Sequence, residues 1–495
     1  MTYMRSLCAG AGLVSLLCST AAARAEVTAE QVWADWTAYY QELGQTVTVA
    51  SQGMQGDTLV VQGVTFGSTL PDGSISTTVG EVRLRNVGDG SVEVTLSETI
   101  PVVMSAKPPE GEATDMTINV SQSGMKMIVS GGPGDMTYDI SAPLIGVSVT
   151  EVKTDGEAVP MTVALNLKNT TGKMHSVTGA GREMSSDLAA EAMDFDVTAK
   201  DPKGAGAFSM KGTLNALTTT SDMKLPAGVT LVDMNAAMKA GLSITGSMAY
   251  GAGNYTMDFQ DAEQTMNMVS SADSGTLAFS MSSAGIAYGG GGKNTKLAMS
   301  GNQLPAPMDL AIADTAFDFA MPVMKGDAPQ PFKLAMKIAD VTVSDSVWAM
   351  FDPTSQLPRD PATVVVDASG TATMKIDLFD PAQAAAAAVP GLLDSLDLAG
   401  LQVKAAGADL TGSGAMTFDN SGPAPMPTGG VDLKLVGGNA LIDKLVAMGL
   451  VPEDQAMGAR MMLGLFAVPA GDDVLTSKIE FKGADGIYAN GQRVQ

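Results

Sequence analysis

Apolar and polar residues alternate along most of this chain, from Thr46 to about Val343. A period of two places successive side chains on opposite faces of a β-strand, so the pattern predicts strands with one apolar and one polar face. It is clearest in six segments, at 82–85, 92–96, 116–120, 136–140, 317–321 and 334–338. Segments 116–120 and 125–129 flank Ser121–Gly124, and together they predict a hairpin with one apolar face.

Strands with one buried face and one solvent-exposed face are typical of antiparallel sheets. Clusters of turn residues, such as Gly131–Asp135 and Gly289–Gly292, separate the apolar segments at short intervals and favour meanders over crossover helices. No strict repeat length is present. Alternation over roughly 300 residues exceeds what one small sandwich needs, so we expect a mainly β protein with a long or curved antiparallel sheet, or two β modules.

A helix is predicted before the strands. Thr28 can cap it, Gln31 can complete a capping box, and Gly44 can end it. Aromatic and leucine side chains recur at helical spacing at Trp33, Trp36, Tyr40 and Leu43. Such a stripe is most often the face that a helix packs on its sheet, although an aromatic docking surface would have the same pattern.

Helical patterns return after Val343. We expect a helix ending at Phe351, one from Pro381 through Ala388, one capped by Asn439 over 440–448, and one opened by Pro452. A strand over 474–482 and an Asp485-Gly486 turn close the chain. The expected fold therefore has an N-terminal helix and a C-terminal helix pair packed on sheet faces.

The first residues have the pattern of a secretory signal peptide. Arg5 precedes an apolar stretch that closes on Ala23-Arg24-Ala25, which predicts cleavage before Glu26. Both cysteines, Cys8 and Cys18, lie inside this leader. A lipoprotein anchor on Cys18 is the alternative, but Leu17 stands where such sites have a small residue.

The expected organisation is a signal peptide over 1–25, an N-terminal helix with an antiparallel β region over 26–345, and a C-terminal β region with helices over 346–495. Residues 344–360 are the best candidate for a boundary between modules. We expect a periplasmic or secreted protein with no transmembrane segment after cleavage and with no disulfide or cysteine ligand.

The charge balance bears on the class of partner. The chain has 29 basic and 53 acidic residues, a net charge of −24 at pH 7. Nucleic acid is an unfavourable partner for such a surface, because binding it requires basic groups. The acids occur as isolated pairs such as Asp472-Asp473, without the spacing of a calcium loop.

Methionine is frequent, and thioethers are ligands for Cu(I). Pairs such as Met125 with Met127 and Met266 with Met268 would place two thioethers on one strand face, but the same spacing describes two core residues. We expect no metal site and no cofactor.

Each enzyme motif that the sequence approaches lacks a required residue. The single His175 lies in a polar segment that suggests an exposed turn, with no Gly-x-Ser-x-Gly elbow to complement it. Gly292-Lys293 departs from a phosphate loop, since Ala287 and Asn294 occupy required glycine and serine/threonine positions. A catalytic pair of carboxylates that are distant in the chain but close in the fold stays an open alternative, because the sequence does not reveal such pairs. We expect no enzymatic activity.

The blocks Val347–Pro353, Leu357–Pro361 and Gly458–Gly464 resemble an uncharacterised bacterial envelope family, domain of unknown function 2125. The likeness extends to Gly241–Tyr250 and Ala489–Arg493. It implies an envelope location and transfers no catalytic residue. Trp348, Pro358 and Arg359 could form a partner site, although a rigid turn held by Arg359 to a carboxylate or carbonyl is the simpler interpretation.

Two non-catalytic functions fit these patterns. In the first, a lipid or other apolar ligand covers the apolar face of the sheet. In the second, helices and a second sheet cover it, and a structural scaffold protein of the envelope acts through contacts with other proteins. The candidate ligand contacts, any of which could instead be ordinary core, are Met116, Ile118, Met125, Met127, Phe317, Phe319, Met336 and Ile338.

The leader gives the first testable prediction. Protein purified from its own host should begin at Glu26, and N-terminal mass spectrometry measures this directly. A chain that begins at Cys18 with added lipid mass would instead establish the anchored form.

Overall fold

The computed structural model describes residues 26–70, 72–107, 111–201, 204–231, 233–422 and 424–495. The leader, with its cysteines and predicted cleavage site, lies outside the described residues. The helices are α1 Ala29–Glu42, α2 Met234–Ala240, α3 Asp345–Phe351, α4 Pro381–Ala386, α5 Gly438–Ala447 and α6 Glu453–Phe466.

Strands form the rest of the framework. The first half of the chain contains β1 Thr46–Thr48, β2 Ser51–Gln55, β3 Thr58–Leu70, β4 Gly73–Asn86, β5 Val92–Leu96, β6 Thr99–Ala106, β7 Thr114–Ser123, β8 Lys126–Gly132, β9 Asp135–Thr154, β10 Glu157–Ala158, β11 Met161–Thr178, β12 Gly181–Lys200 and β13 Ala207–Pro226.

The second half contains β14 Ser243–Tyr250, β15 Gly253–Gln260, β16 Thr265–Ala272, β17 Ser274–Ser282, β18 Gly285–Gly301, β19 Met308–Met321, β20 Gln330–Val343, β21 Ala362–Met374, β22 Gly391–Ala405, β23 Ala408–Asp419, β24 Met426–Val436, β25 Val468–Gly471, β26 Val474–Lys482, β27 Ile487–Ala489 and β28 Gln492–Arg493.

All these strands belong to one antiparallel sheet. The expectation of a mainly β chain with a long sheet, an N-terminal helix and C-terminal helices is confirmed. Most strands pair with the next one along the chain, and β20 pairs directly with β21, so the sheet continues across residues 344–360. This is the meander that the short turns predicted.

The sheet splits twice into paired half-strands. β5 and β6 lie end to end along β4, and β8 and β7 lie end to end along β9. The same arrangement recurs farther on, where β14 and β15 share β13, and β17 and β16 share β18. The predicted hairpin at 116–129 is therefore wrong: β7 and β8 do not pair with each other but continue one another along β9.

A line of kinks crosses the sheet where these splits occur. Gly63, Asn169, Ala216, Asn294 and Asp340 have φ from 49° to 60°, inside otherwise extended strands. Such a residue shifts the alternation by one position. In β3 the apolar residues change from Leu59 and Val61 to Val64 and Phe66 across Gly63, yet all four side chains share one core. The kink therefore keeps the apolar side chains on the same face.

Helix α1 covers the N-terminal end of that face. Thr28 and Gln31 form the predicted capping box, and the helix packs Val32 and Trp33 on a core of β3, β4, β5, β8 and β9 side chains. The Trp36 indole N–H donates to the hydroxyl of Tyr138 at 3.2 Å. Burial raises the pKa of Tyr138 to about 12. The predicted helix and its aromatic stripe are confirmed as sheet packing.

Arg182 fastens α1 to the sheet. Its side chain is buried, and it donates to Glu42 at 2.8 Å and to both carboxylate oxygens of Asp35 at 3.0 Å. Burial opposes the charged form, but these hydrogen bonds outweigh it and raise the pKa of Arg182 above its usual value. A buried charge is tolerated only when it is paired in this way.

The C-terminal helices differ from their expected limits. α4 ends at Ala386 instead of Ala388. Asn439 does not cap α5; the carboxylate of Asp473 accepts the N–H groups of Asn439 and Ala440 at 3.0 Å each. This cap comes from a turn 33 and 34 residues away, which spacing along the chain does not reveal. The short helix α2 was not predicted.

Gly289–Gly292 also departs from expectation, because these residues lie inside β18 instead of forming a turn. A Cβ atom at Gly290 would come 2.5 Å from the carbonyl oxygen of Thr276 and 3.0 Å from the Phe317 ring. Glycine is needed there for close packing and not for a turn.

The kink line gives the second prediction. Ala216 has φ 51°, which is unfavourable for any residue with a Cβ atom. Ala216→Gly should raise the free energy of unfolding by about 1 kcal/mol, whereas the β-branched Ala216→Val should lower it by about 1–2 kcal/mol. Urea denaturation of the two variants measures this, and equal stabilities would contradict the assigned conformation.

Candidate ligand-binding face

One row of side chains crosses the sheet from β3 to β26 on its apolar face. Each member lies directly opposite the next on a neighbouring strand, and we call this set the apolar row. In order, its members are Leu59, Leu84, Val94, Met127, Ile140, Gly172, Leu188, Thr219, Met248, Leu277, Gly290, Phe317, Met336, Val366, Leu401, Gly412, Leu433 and Ser477.

The length of the row follows from the strand spacing. Neighbouring strands lie about 4.8 Å apart, so the apolar row is on the order of 80 Å long. A second row parallels its central part and contains Phe279, Tyr288, Phe319, Leu334, Ala368 and Leu398. Together they form a continuous apolar strip.

Burial along the apolar row is uneven. Under α1, Leu84 and Val94 are completely buried. Past the middle of the sheet, Leu277 is 46% exposed, Phe317 43% and Met336 41%. The strip is thus closed at its N-terminal end and open to solvent from β17 onwards. Contiguous exposed apolar surface of this kind is typical of an interaction site.

The opposite face of the same strands is polar. Asp314 pairs there with Lys293 at 2.6 Å and with Lys337 at 2.7 Å, and Lys333 pairs with Asp318 at 2.6 Å. The hydrogen bonds from Lys293 and Lys337 hold the pKa of Asp314 below its usual value. The two faces therefore differ sharply in polarity, so only one of them suits an apolar ligand.

Helix α2 and two loops close one margin of the strip. Met238 and Leu242 pack with Leu225 of β13 and Val323, and Ile286 of β18 lies against this cluster. Asp377 ties the parts together: Lys239 donates to it at 2.6 Å and the N–H of Lys325 at 2.9 Å. The hydrogen bond from Lys239 and that backbone donor hold the pKa of Asp377 below its usual value.

The structure brings together four of the predicted ligand contacts. Phe317 and Met336 are cross-strand neighbours in the apolar row, Phe319 lies in the second row, and Ile338 faces Val364 beside them. The alternating pattern also contained Leu277, Tyr288 and Leu334, which are exposed on the same strip. They were missed because alternation alone does not tell which apolar faces stay uncovered.

The other four candidates lie elsewhere. Met127 belongs to the apolar row but packs against the core beneath α1. Met116 and Ile118 face Met104 and Val102 of β6, on the far side of the kink line. Met125 lies between β7 and β8, where its N–H donates to the side chain of Gln122.

The predicted partner residues surround a rigid turn after α3. Arg359 pairs with Asp345, donates to the hydroxyl of Ser355 at 2.8 Å and lies 5.8 Å from the centre of the Trp348 ring. A Cβ atom at Gly407 would come 2.9 Å from Pro358. These contacts have the geometry expected of a turn held by Arg359. A partner site here stays a prediction.

The carboxylate of Asp352 completes this turn. It is fully buried and accepts the N–H groups of Gln356 and Leu357 at 2.8 Å each. Although burial acts against the charged form, these backbone donors lower the pKa of Asp352 below its usual value.

His175 does not lie in a turn, as its sequence suggested. It occupies β11 on the polar face, half exposed, with Nε2 2.7 Å from a carboxylate oxygen of Asp135. Within the described residues there is no cluster of three or more histidine, cysteine, aspartate or glutamate side chains able to hold a metal ion.

Depressions in the surface lie beside the strip. One of about 400 Å³ is lined by Leu297, Leu310 and Val343, and another of about 370 Å³ by Trp348, Phe351 and Arg359. Neither contains Phe317 or Met336. We give more weight to the strip, because an extended ligand can lie on an open sheet face without an enclosed cavity.

The fold and this face define an open, single-layered antiparallel β protein with one apolar surface. Residues 291–483 match the family model of an uncharacterized protein conserved in bacteria (DUF2125). The resemblance seen in the sequence is thus confirmed for this part of the chain, which carries Phe317, Met336 and Trp348. The similar segments Gly241–Tyr250 and Ala489–Arg493 lie outside the match.

No curated protein and no solved structure matches the chain. In the part of the chain that the structure describes, every helix is too short or too polar to span a lipid bilayer.

The pairing of Asp377 gives the third prediction. Its pKa is lower in the folded than in the unfolded chain, so the carboxylate stabilises the fold above the unfolded value of about 4, and this contribution is lost as the pH falls through the folded pKa. Asp377→Asn should lower the free energy of unfolding at pH 7 by about 1 kcal/mol.

Denaturant titrations of both proteins from pH 7 to pH 3 measure this difference, which should shrink below about pH 4. The control is Asp443→Asn, which removes an exposed pair with Arg460 and should change stability little. A difference between wild type and Asp377→Asn that stays constant with pH would contradict the role of the charge.

Proposed function

We propose that this protein is a non-catalytic binding protein of the bacterial envelope that holds an apolar ligand, such as the acyl chains of a lipid, on the exposed part of the strip. The observation that carries this proposal is the change from complete burial at Leu84 and Val94 to large exposure at Leu277, Phe317 and Met336 along one row. A ligand would cover the part of the apolar face that α1 leaves exposed.

The chemistry of the strip favours acyl chains. Most of its side chains are aliphatic, thioether or aromatic, and glycines such as Gly290 and Gly412 and the hydroxyl residues Thr219 and Ser477 interrupt it. Each methylene group removed from water contributes about 0.8 kcal/mol, so an acyl chain lying across several strands gains from every strand it crosses. Methionine side chains such as that of Met336 adapt to ligands of varied shape.

The scaffold alternative requires the apolar face to be covered by protein. The expected cover consisted of helices and a second sheet, but the strands of the described residues all belong to one sheet. Exposure of Leu334 at 54% and Tyr288 at 44% leaves the face open. This favours a bound ligand, and an envelope location is part of the proposal on the strength of the predicted leader.

The first test is native mass spectrometry of protein purified from its own host, followed by organic extraction. We expect a lipid that co-purifies in near-stoichiometric amount. A clean apo mass, together with failure to take up a fluorescent fatty acid, would leave the scaffold alternative ahead.

A pair of neighbouring substitutions gives the fourth prediction. Phe317 and Ala316 are adjacent on β19, both exposed, and their side chains point to opposite faces of the sheet. Phe317→Glu places a charge in the apolar row and should weaken binding of a fluorescent fatty acid by at least about tenfold, because a carboxylate beside an acyl chain is costly to desolvate.

Ala316→Glu is the matched control, because it adds the same charge opposite Lys337 on the polar face and should leave binding unchanged. Fluorescence titration measures the affinity of each variant, and thermal unfolding checks that both fold. Equal loss of binding in the two variants, or in neither, would contradict the location of the site.

A further inference from the structure

We infer that helix α6 docks this protein on the surface of a lipid bilayer of low charge, at the free end of the apolar row. The inference rests on the proposed function, because it names the place where an acyl ligand would enter or leave the strip. Three features of α6 support it: its exposed stripe, its attachment and its charge.

The stripe consists of Met457, Met461 and Leu465, which recur every four residues on one side of α6 and are 67%, 70% and 52% exposed. The methionines at 457 and 461 are the most exposed large apolar side chains among the described residues. Ala456 is the one buried residue of this helix among those described. The helix thus presents its apolar side outwards, which a water-exposed helix normally avoids.

The attachment of α6 places this stripe at the end of the strip. The carbonyl oxygen of Phe466, the last residue of α6, accepts hydrogen bonds from the Ser477 hydroxyl at 2.5 Å and from the Asn490 amide at 2.9 Å. Ser477 is the last member of the apolar row, next to Leu433. The opposite end of the row is closed under α1, whereas Leu433 and Ser477 at the α6 end are partly exposed.

Continuity with the strip favours a bilayer over a protein partner. An acyl chain that leaves the sheet beside α6 avoids water only if another apolar medium lies there. The stripe is made of flexible side chains, and added Cβ atoms at Gly458 and Gly464 would meet nothing within 4 Å, so the surface of α6 beside the stripe is open. This geometry fits a fluid surface.

Charge selects the kind of bilayer. The chain has a net charge of −24, and α6 begins with Glu453 and Asp454. Its Arg460 is paired with Asp443 of α5. Anionic lipids would be repelled, so a zwitterionic surface is the matching partner.

Flotation of the full chain with phosphatidylcholine vesicles tests this inference. Wild type should float with the vesicles, and the double variant Met457→Glu/Met461→Glu should reduce the bound fraction at least about tenfold, because two carboxylates would enter the apolar phase. The matched control is Met54→Glu/Met350→Glu, which changes two exposed methionines elsewhere and should float like wild type.

Fluorescent fatty-acid binding without vesicles separates this inference from the proposed function. The α6 variant should keep full fatty-acid affinity while losing flotation. Wild type that binds fatty acid but stays off vesicles, or an α6 variant that floats like wild type, would overturn the docking of α6 and leave ligand binding standing. Dimeric wild type that becomes monomeric in the α6 variant would identify a second copy as the occupant, and would equally overturn it.

Discussion

A single-layered antiparallel sheet satisfies its backbone by strand pairing but leaves each face to be covered by other means. Here one face is polar and carries cross-strand ion pairs such as Lys333 with Asp318, so water covers it. The other face is mainly apolar, and the described helices leave its part around Leu277, Phe317 and Met336 exposed. Every functional conclusion follows from this imbalance between apolar surface and protein cover.

The N-terminal cover depends on a charge placed in apolar surroundings. Arg182 lies on the covered face and is neutralised by Asp35 and Glu42, both supplied by α1. Since an unpaired guanidinium at this site would be costly, the ion pairs hold α1 in one position on the sheet. The helix is thereby part of the sheet's core, in contrast to α6, whose contacts leave its methionines exposed.

The kink line lets so long a sheet keep one apolar face. If the apolar residues of a strand change from odd to even positions, their side chains turn to the polar face unless a bulge compensates. At Gly63 the left-handed residue coincides with this change, and Leu59 and Val64 stay in one core. The apolar residues change in the same way between odd-numbered and even-numbered positions around Asn169, Ala216, Asn294 and Asp340. Polar residues that tolerate positive φ occupy three of these positions.

Local patterns predicted much of the fold. Alternation identified the strands at 136–140, 317–321 and 334–338, and the capping residues Thr28 and Gln31 identified α1, because these signals act between residues close in the chain. Contacts between distant residues were beyond reach. The cap of α5 by Asp473 and the end-to-end placement of β7 and β8 on β9 depend on such contacts.

The candidate site was likewise predicted only in part. The sequence by itself determined that strands such as those of Phe317 and Met336 have one apolar face, because side-chain direction in a strand follows from the backbone geometry alone. Only the tertiary structure decided which of those faces stay open. Met127 and Phe317 have the same local pattern and lie in the same row, yet the first packs against the core beneath α1 and the second remains 43% exposed. Whether a strand face is buried depends on the elements that pack on it, and those elements come from distant parts of the chain.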